Sequence, residues 1–495
     1  MTRTRTRPAE AKRRRIGPAR AAAYDVVRAV SAGSADLPHA LARARSSLAD
    51  ERDRALAGEI ATGSLRWQGA SDHLIHAFTK RPLERLDPEV VDILRCSIFQ
   101  LLHLDRVPAS AVVNDAVSLS RRVGKTSAAP LVNAVLRRIS RERTRLPLPP
   151  RPQWGQTPLP GSGHWGLTPD DSARRGSNER GLTPEQRAQA LDYLSTTLSH
   201  PRWLAERWLD AYGFANAEAW MTFNNSPAPL TLRVNTLKTT ADELTATLAT
   251  HGIEVTPARH APGALIVTHG NPLLTPLADE GLFFVQDEAS QLIASLVGAG
   301  AGERVLDACA SPGGKTIAIA CAMSDRGLIV AADIRGRRLD LLTRTVGRSG
   351  AASIRIVRGD AAALPFADAP GLFDWVLLDA PCSGLGTIRR DPDIRWRRTP
   401  GDLPALRHAQ AAMLTEAARV VRPGGHVVYA TCSSEIEENE HVVDEVLASG
   451  RLTAGSVDRL PAHVRPFVDP TSRFRSYPFR DGLEAFFGAV LAKPS

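Results

Sequence analysis

The stretch Val305-Leu306-Asp307-Ala308-Cys309-Ala310-Ser311-Pro312-Gly313-Gly314-Lys315-Thr316 decides the fold. An apolar run leads into a loop with paired glycines, and helical spacing follows to about residue 323. Strand, loop and helix in that order let a backbone come close to a ligand and aim free N–H groups at it. This is the first unit of an open α/β sheet.

The pattern recurs outward from there. Strands are predicted near 304–309, 328–333, 354–358, 374–379 and 426–430, with helices near 315–323, 335–347 and 402–421. Such alternation predicts a doubly wound, Rossmann-like sheet, whose ligands bind at the carboxyl ends of the strands. Three carboxylates stand at successive strand ends: Asp333, Asp360 and Asp379. Each alone reads as a helix cap or turn residue, but three in a row fit the ribose hydroxyls and base of a nucleoside cofactor. Gly-Lys-Thr at 314–316 also suggests a phosphate loop. That motif needs glycine where this chain has Cys309, and Pro312 interrupts it. Carboxylates repel phosphate, so S-adenosylmethionine fits better than a triphosphate, and Gly-x-Gly-x-x-Gly for NAD is absent.

Two of the five cysteines lie at strand ends, Cys382 in Asp379-Ala380-Pro381-Cys382-Ser383 and Cys432 in Tyr429-Ala430-Thr431-Cys432-Ser433. That placement points to covalent chemistry on a base. Cys96 and Cys321 fall on apolar-periodic helical stretches, where a thiol serves as a small hydrophobe. Without Cys-x-x-Cys or a signal peptide, disulfide and zinc readings are poor, and the expectation is a reduced, cytoplasmic setting. No apolar run reaches the ~18 residues of a membrane span. The isolated histidines show no paired spacing and receive no metal role.

Five divisions are expected: a basic tail (1–18), an all-α domain (19–145), a Pro/Gly-rich linker (146–184), a small α/β module (185–291) and the Rossmann-like domain (292–495). The formal charge is +9, and eight Lys/Arg against Glu10 in the first 20 residues supply +7 of it. Such a tail attracts phosphate or is merely solvated. In the all-α domain Val90, Leu94, Ile98 and Leu101 mark one helix face, and Pro108 opens another helix through Leu119. The linker holds eight prolines and six glycines, and Trp154-Gly155-Gln156-Thr157-Pro158, Trp165-Gly166-Leu167-Thr168-Pro169 and Arg180-Gly181-Leu182-Thr183-Pro184 form a weak repeat. In the small module Leu230–Asn235 reads as a strand and Ala241–Thr250 as a helix.

Several motifs carry a family resemblance. Residues 53–67, 87–102 and 132–138 resemble the NusB-type helical RNA-binding domain. The glycine loop, Val285 to Ser290, Asp379 to Gly384, Arg390-Asp391-Pro392-Asp393-Ile394-Arg395-Trp396, Tyr429 to Ser433 and Glu438-Asn439-Glu440 resemble the Sun/Fmu-type RNA cytosine-C5 methyltransferases, in the bacterial 16S ribosomal RNA branch with a NusB-like domain. The similarity covers about 19–142 and 190–493. Ser311 replaces the family's usual alanine, and the segment 481–487 departs from its aromatic-pair pattern. The resemblance implies S-adenosylmethionine at Cys309, Ala310, Ser311, Pro312, Gly313, Gly314, Lys315, Asp333, Asp360 and Asp379, with 16S rRNA as substrate of a monomeric, cytoplasmic enzyme.

Cytosine C5 is a poor nucleophile, and adding a thiolate at C6 places electron density on C5. Asp379 is expected to hydrogen-bond the N3/N4 edge of the base. A Pro-Cys dipeptide, as DNA cytosine methyltransferases use, would select Cys382 as nucleophile; the resemblance instead assigns attack to Cys432 and product release to Cys382. The five arginines and Trp396 within 389–398 are expected to meet phosphate and stack on a base. Lys315 is expected to touch cofactor or substrate. A non-catalytic RNA-binding factor and a phosphate-loop NTPase are the competing readings.

Overall fold

Uninterrupted apolar runs such as Leu328-Ile329-Val330-Ala331-Ala332 suit strands covered on both faces, and that is where they lie. A computed structural model of the chain describes residues 16–153, 182–366 and 371–495. Most of the basic tail and of the tryptophan-containing repeats lies outside the described residues. The chain divides into two units.

The first unit takes the described residues up to 153, Leu182–Met221 and Asp391–Trp396. Its helices include Pro18–Ser31, Leu37–Ser47, Glu51–Arg66, Gln68–Thr79, Pro88–His103, Ala109–Arg122 and Ala129–Arg141. Local chemistry sets the starts: proline occupies the first turn of Pro18–Ser31 and Pro88–His103, where a missing N–H costs nothing. Asp36 and Asp50 cap the next two by accepting from the backbone N–H groups of His39 and Arg52. Pro88–His103 is the central helix, with Val90, Leu94 and Ile98 buried beside Val112, Val132 and Leu136. Gly63 lets Glu51–Arg66 approach it, since a Cβ there would lie 2.0 Å from Phe99 Cζ. Gly63→Ala should therefore destabilise this unit by about 1–3 kcal/mol through overpacking, although alanine is the better helix former by about 1 kcal/mol. Chemical denaturation of the full chain reads the sign.

The second unit takes Thr222–Arg390 and Arg397–Ser495, less the undescribed 367–370. It holds two sheets. The smaller comprises β1 (Thr231–Val234), β2 (Glu254–Pro257), β3 (Ala264–His269) and β4 (Phe283–Val285), antiparallel in the order β2-β3-β1-β4. Helix Ala241–Thr250 opens with a Thr240/Glu243 capping box.

The larger sheet contains β5 (Arg304–Asp307), β6 (Leu328–Asp333), β7 (Ile354–Arg358), β8 (Phe373–Asp379), β9 (Val421–Thr431), β10 (Thr453–Ala454), β11 (Arg473–Arg475) and β12 (Phe487–Ala492). Its order is β10-β12-β9-β8-β5-β6-β7, with β11 beside β12. Strands β5 to β9 pair in parallel, whereas β12 runs antiparallel to β9. Alternate residues serve opposite layers: Val305, Leu377 and Val428 one, Leu306, Val376 and Tyr429 the other. The chain order reverses between β5 and β8, the switch point where such sheets open a crevice. Among the described residues no helix is long and apolar enough to cross a membrane.

Candidate active site

Every strand-end residue singled out from the sequence comes to one edge of this sheet. The loop after β5 leads into helix Gly314–Ala322, and Gly313 caps it with φ +105°. A Cβ on Gly313 would meet Leu342 Cδ1 at 2.9 Å, so backbone angle and space both require glycine. The Ser311 hydroxyl, the family departure, donates to Arg338 O at 3.0 Å and leaves the loop intact. Cys309 is partly buried, and burial followed by the charge of Asp307 raises its pKa.

Asp333 ends β6 and is 4% exposed; its carboxylate accepts from the Arg335 N–H at 3.1 Å. Asp360 lies two residues beyond β7 and accepts from the Ala362 N–H at 2.9 Å. Both keep acceptor capacity at the crevice. The carboxylate pair can accept from the hydroxyls and amine of a nucleoside bearing a positive sulfonium, and the glycine-lined loop and helix N-terminus leave room and free N–H groups for its acceptor groups. The donor set therefore fits S-adenosylmethionine.

Lys315 lies deeper than a surface lysine. Its side chain is 13% exposed and donates to Asp379 Oδ2 at 2.7 Å. Burial opposes its charge, but Asp379, with lesser help from Cys432 and Asp307, outweighs burial and raises the pKa. The pair with Asp379 was not legible in the sequence, because residues 64 apart meet only when β5 and β8 become neighbours.

Asp307 is a further residue that sequence reasoning left without a role. It is 1% exposed, accepts from the Thr316 hydroxyl at 2.7 Å, and keeps Oδ1 without a hydrogen-bond partner. Burial pushes its pKa up to about 7. A carboxyl whose folded pKa exceeds its unfolded value favours folding at low pH, and that contribution is lost as pH rises through the folded pKa. Asp307→Asn should therefore flatten the loss of stability between about pH 4 and pH 7 and be relatively more stable at pH 8. Denaturant titrations of both proteins at pH 5 and pH 8 test this.

The two cysteines meet across β8 and β9. Cys382 Sγ and Cys432 Sγ are 3.1 Å apart, both partly buried. The hydrogen bond with Cys432, then burial, holds the Cys382 pKa well above the usual thiol value. Arg398 donates to Ser383 O and Cys382 O at 2.9 and 3.3 Å, fixing the turn that carries Cys382.

The stretch 389–398 was expected to offer its arginines to phosphate and Trp396 to a base, but these side chains have protein partners. Arg389 donates to Pro227 O and lies over the Phe223 ring, and Arg390 pairs with Asp287 at 2.6 Å. Arg395, fully buried in the first unit, donates to Ser199 O at 2.9 Å, and Trp396 Nε1 donates to Leu65 O at 2.7 Å. Their carbonyl and carboxylate partners come from distant segments that the sequence does not reveal.

An open parallel sheet with a glycine loop after its first strand, acidic groups at the next strand ends and no phosphate loop defines a class I S-adenosylmethionine-dependent methyltransferase domain. Residues 295–492 match the family described as 16S rRNA methyltransferase RsmB/F, residues 18–141 the NusB family, and residues 200–273 the ferredoxin-like domain of RsmF/B-like methyltransferases. The chain belongs to the RsmB/F family of rRNA methyltransferases. It is 32% identical to a probable ribosomal RNA small subunit methyltransferase B of Bacillus subtilis, over 91% of this chain and 92% of that protein. A Pseudomonas putida ribosomal RNA small subunit methyltransferase B is also 32% identical, over 87% of this chain and 88% of its own length. Among solved structures, PH0851 superposes with a TM-score of 0.72 at 25% identity, covering 97% of this chain and 99% of that one. The cofactor is S-adenosylmethionine and the substrate is RNA.

Proposed function

We propose that this chain methylates cytosine at C5 in 16S rRNA through a covalent bond between Cys432 Sγ and cytosine C6. The observation that carries the reading is the pair of thiols 3.1 Å apart at the ends of β8 and β9, beside the Lys315–Asp379 pair. One thiol alone would serve attack; two in contact provide for both attack and release.

Residues 309–315 with Asp333, Asp360 and Asp379 would hold the cofactor, which supplies an electrophilic methyl group. Cys432 gives up its proton and adds to C6, and the C5–C6 electron pair moves onto C5, which becomes able to take the methyl group. The Lys315 ammonium places positive charge beside the sulfur where the thiolate forms. Asp379 faces the N3/N4 edge of the base and stabilises the charge that develops there. A base then takes the C5 proton, the electrons restore the C5–C6 double bond, and the C6–sulfur bond breaks. Cys382 Sγ lies 3.1 Å from Cys432 Sγ, close enough to act where the C6–sulfur bond breaks, which supports its assignment to release.

Bisulfite mapping of 16S rRNA from cells with and without the chain tests the substrate. One 5-methylcytosine should disappear with the chain, and an unchanged map would overturn the reading. In equilibrium dialysis the chain should bind S-adenosylmethionine and not ATP, and Asp333→Ala should weaken binding by about 10-fold or more, the loss expected for a charge-assisted hydrogen bond.

A further inference from the structure

The segment Glu438-Asn439-Glu440 takes no part in the reaction proposed above, yet its first two residues tie down both cysteine turns. Glu438 is fully buried. Its Oε1 accepts from the Ser383 N–H at 2.7 Å and from Gln410 Nε2 at 3.0 Å, and its Oε2 accepts from the Ser433 hydroxyl at 2.5 Å. Ser383 follows Cys382 and Ser433 follows Cys432, and the two serine oxygens are 3.1 Å apart. Gln410 also donates to Pro381 O at 2.9 Å, on the other side of Cys382. Asn439 does the same for the second turn, accepting from the Thr431 hydroxyl at 2.5 Å and donating to Ser433 O at 3.0 Å. The residues flanking each cysteine are thus bound, directly or through Gln410, to one dipeptide.

We propose that Glu438 is a positioning residue that holds the Cys382 and Cys432 turns in one register, so that the two thiols meet. A carboxylate suits the task because it only accepts, and the two turns with Gln410 present three donors converging on it. Beyond Asp379–Ala430 the ends of β8 and β9 are joined by single backbone hydrogen bonds, from Ala380 N–H to Ala430 O at 2.8 Å and from Gly386 N–H to Cys432 O at 2.9 Å, and Glu438 adds the side-chain link between the residues next to the two cysteines. Glu438 bonds to neither sulfur and acts only through the backbone and hydroxyl groups beside them. The proposal rests on the two-cysteine reading above and adds the residue that sets its geometry.

The test uses the full chain with unmodified 16S rRNA transcript and S-adenosylmethionine. Glu438→Ala should lower kcat by about 10- to 100-fold, the cost of misplacing reacting groups by an ångström or less, while KM for RNA and for cofactor stays within about 3-fold. Glu438→Gln should recover most of the rate. Its amide oxygen can still accept from the Ser383 N–H, and its NH2 can donate to a turned Ser433 hydroxyl.

A second readout is independent of methylation. Diamide removes one hydrogen from each of two neighbouring thiols, becomes the hydrazine, and leaves a Cys382–Cys432 disulfide. Its rate of formation, followed by mass spectrometry without RNA or cofactor, should fall in Glu438→Ala and return in Glu438→Gln. Ser433→Ala, which removes one arm and keeps the rest, should show a smaller fall and carries the test if Glu438→Ala does not fold. Wild-type kcat or wild-type disulfide closure in the folded variant would overturn the proposal. So would a loss of kcat matched by an equal rise in both KM values. If the Cys382→Ala chain forms no RNA adduct, the covalent reading fails by itself, because the diamide rates judge the clamp without it.

Discussion

Cys432→Ala is expected to abolish methyl transfer, by about 10⁴-fold or more, and to leave no RNA bound to the protein on a denaturing gel. Cys382→Ala is expected to fail differently: the C6–sulfur bond forms, the methyl group is transferred, and the protein remains attached to RNA. The distinction follows from the roles that the family resemblance assigns, and the site permits them. With sulfurs 3.1 Å apart, each thiol is within reach of the bond the other makes or breaks. The Cys382 thiol, held protonated by its hydrogen bond with Cys432 and by burial, is a poor nucleophile. An adduct that accumulates with Cys432→Ala and not with Cys382→Ala would reverse the two roles. The adduct should carry a methylated base, which digestion and mass spectrometry can read.

The second large effect is expected at Asp379. Asp379→Asn keeps the size of the side chain and one acceptor oxygen but removes its charge, both from the base edge and from Lys315. Turnover should fall by about 10²- to 10³-fold, the range for losing a charged group that acts on the transition state. Stability should fall by only about 1 kcal/mol, because the Asp379 side chain is 29% exposed and water screens part of the pair. The pair holds the Lys315 pKa above that of free lysine, so its contribution is complete at neutral pH. It is lost only as pH rises through the raised value. A stability loss at pH 7 that disappears by pH 9 would contradict that assignment, whereas turnover measured alongside separates the chemical role from the structural one.

Much of the fold was legible. Helix Ala241–Thr250 was expected at its observed bounds, and the structure shows a Thr240/Glu243 capping box at its start. The five parallel strands were expected within a few residues, except that β9 begins at Val421, ahead of Gly424 and Gly425. The antiparallel strand β12 was not placed, because its pairing with β9 is a long-range match that no local pattern encodes. The Gly-Lys-Thr ambiguity is resolved by a partner: Lys315 turns toward Asp379 rather than lying ready for a phosphate.

The sequence by itself determined where the chemistry-bearing residues fall along the chain. Apolar runs ending in Asp307, Asp333, Asp379 and Thr431 set the strands, and a parallel sheet brings its carboxyl ends to one edge. Only the tertiary structure decided which of these residues touch. Lys315 meets Asp379 and Cys382 meets Cys432 because β8 lies between β5 and β9. Arg395 and Trp396 turn inward because buried carbonyls elsewhere in the chain accept their N–H groups. Glu438 joins two turns because three donors converge on it. Spacing along a chain encodes period and turn. The partner of a buried charge is set by strand order and loop path, which depend on the free energy of the whole packed core.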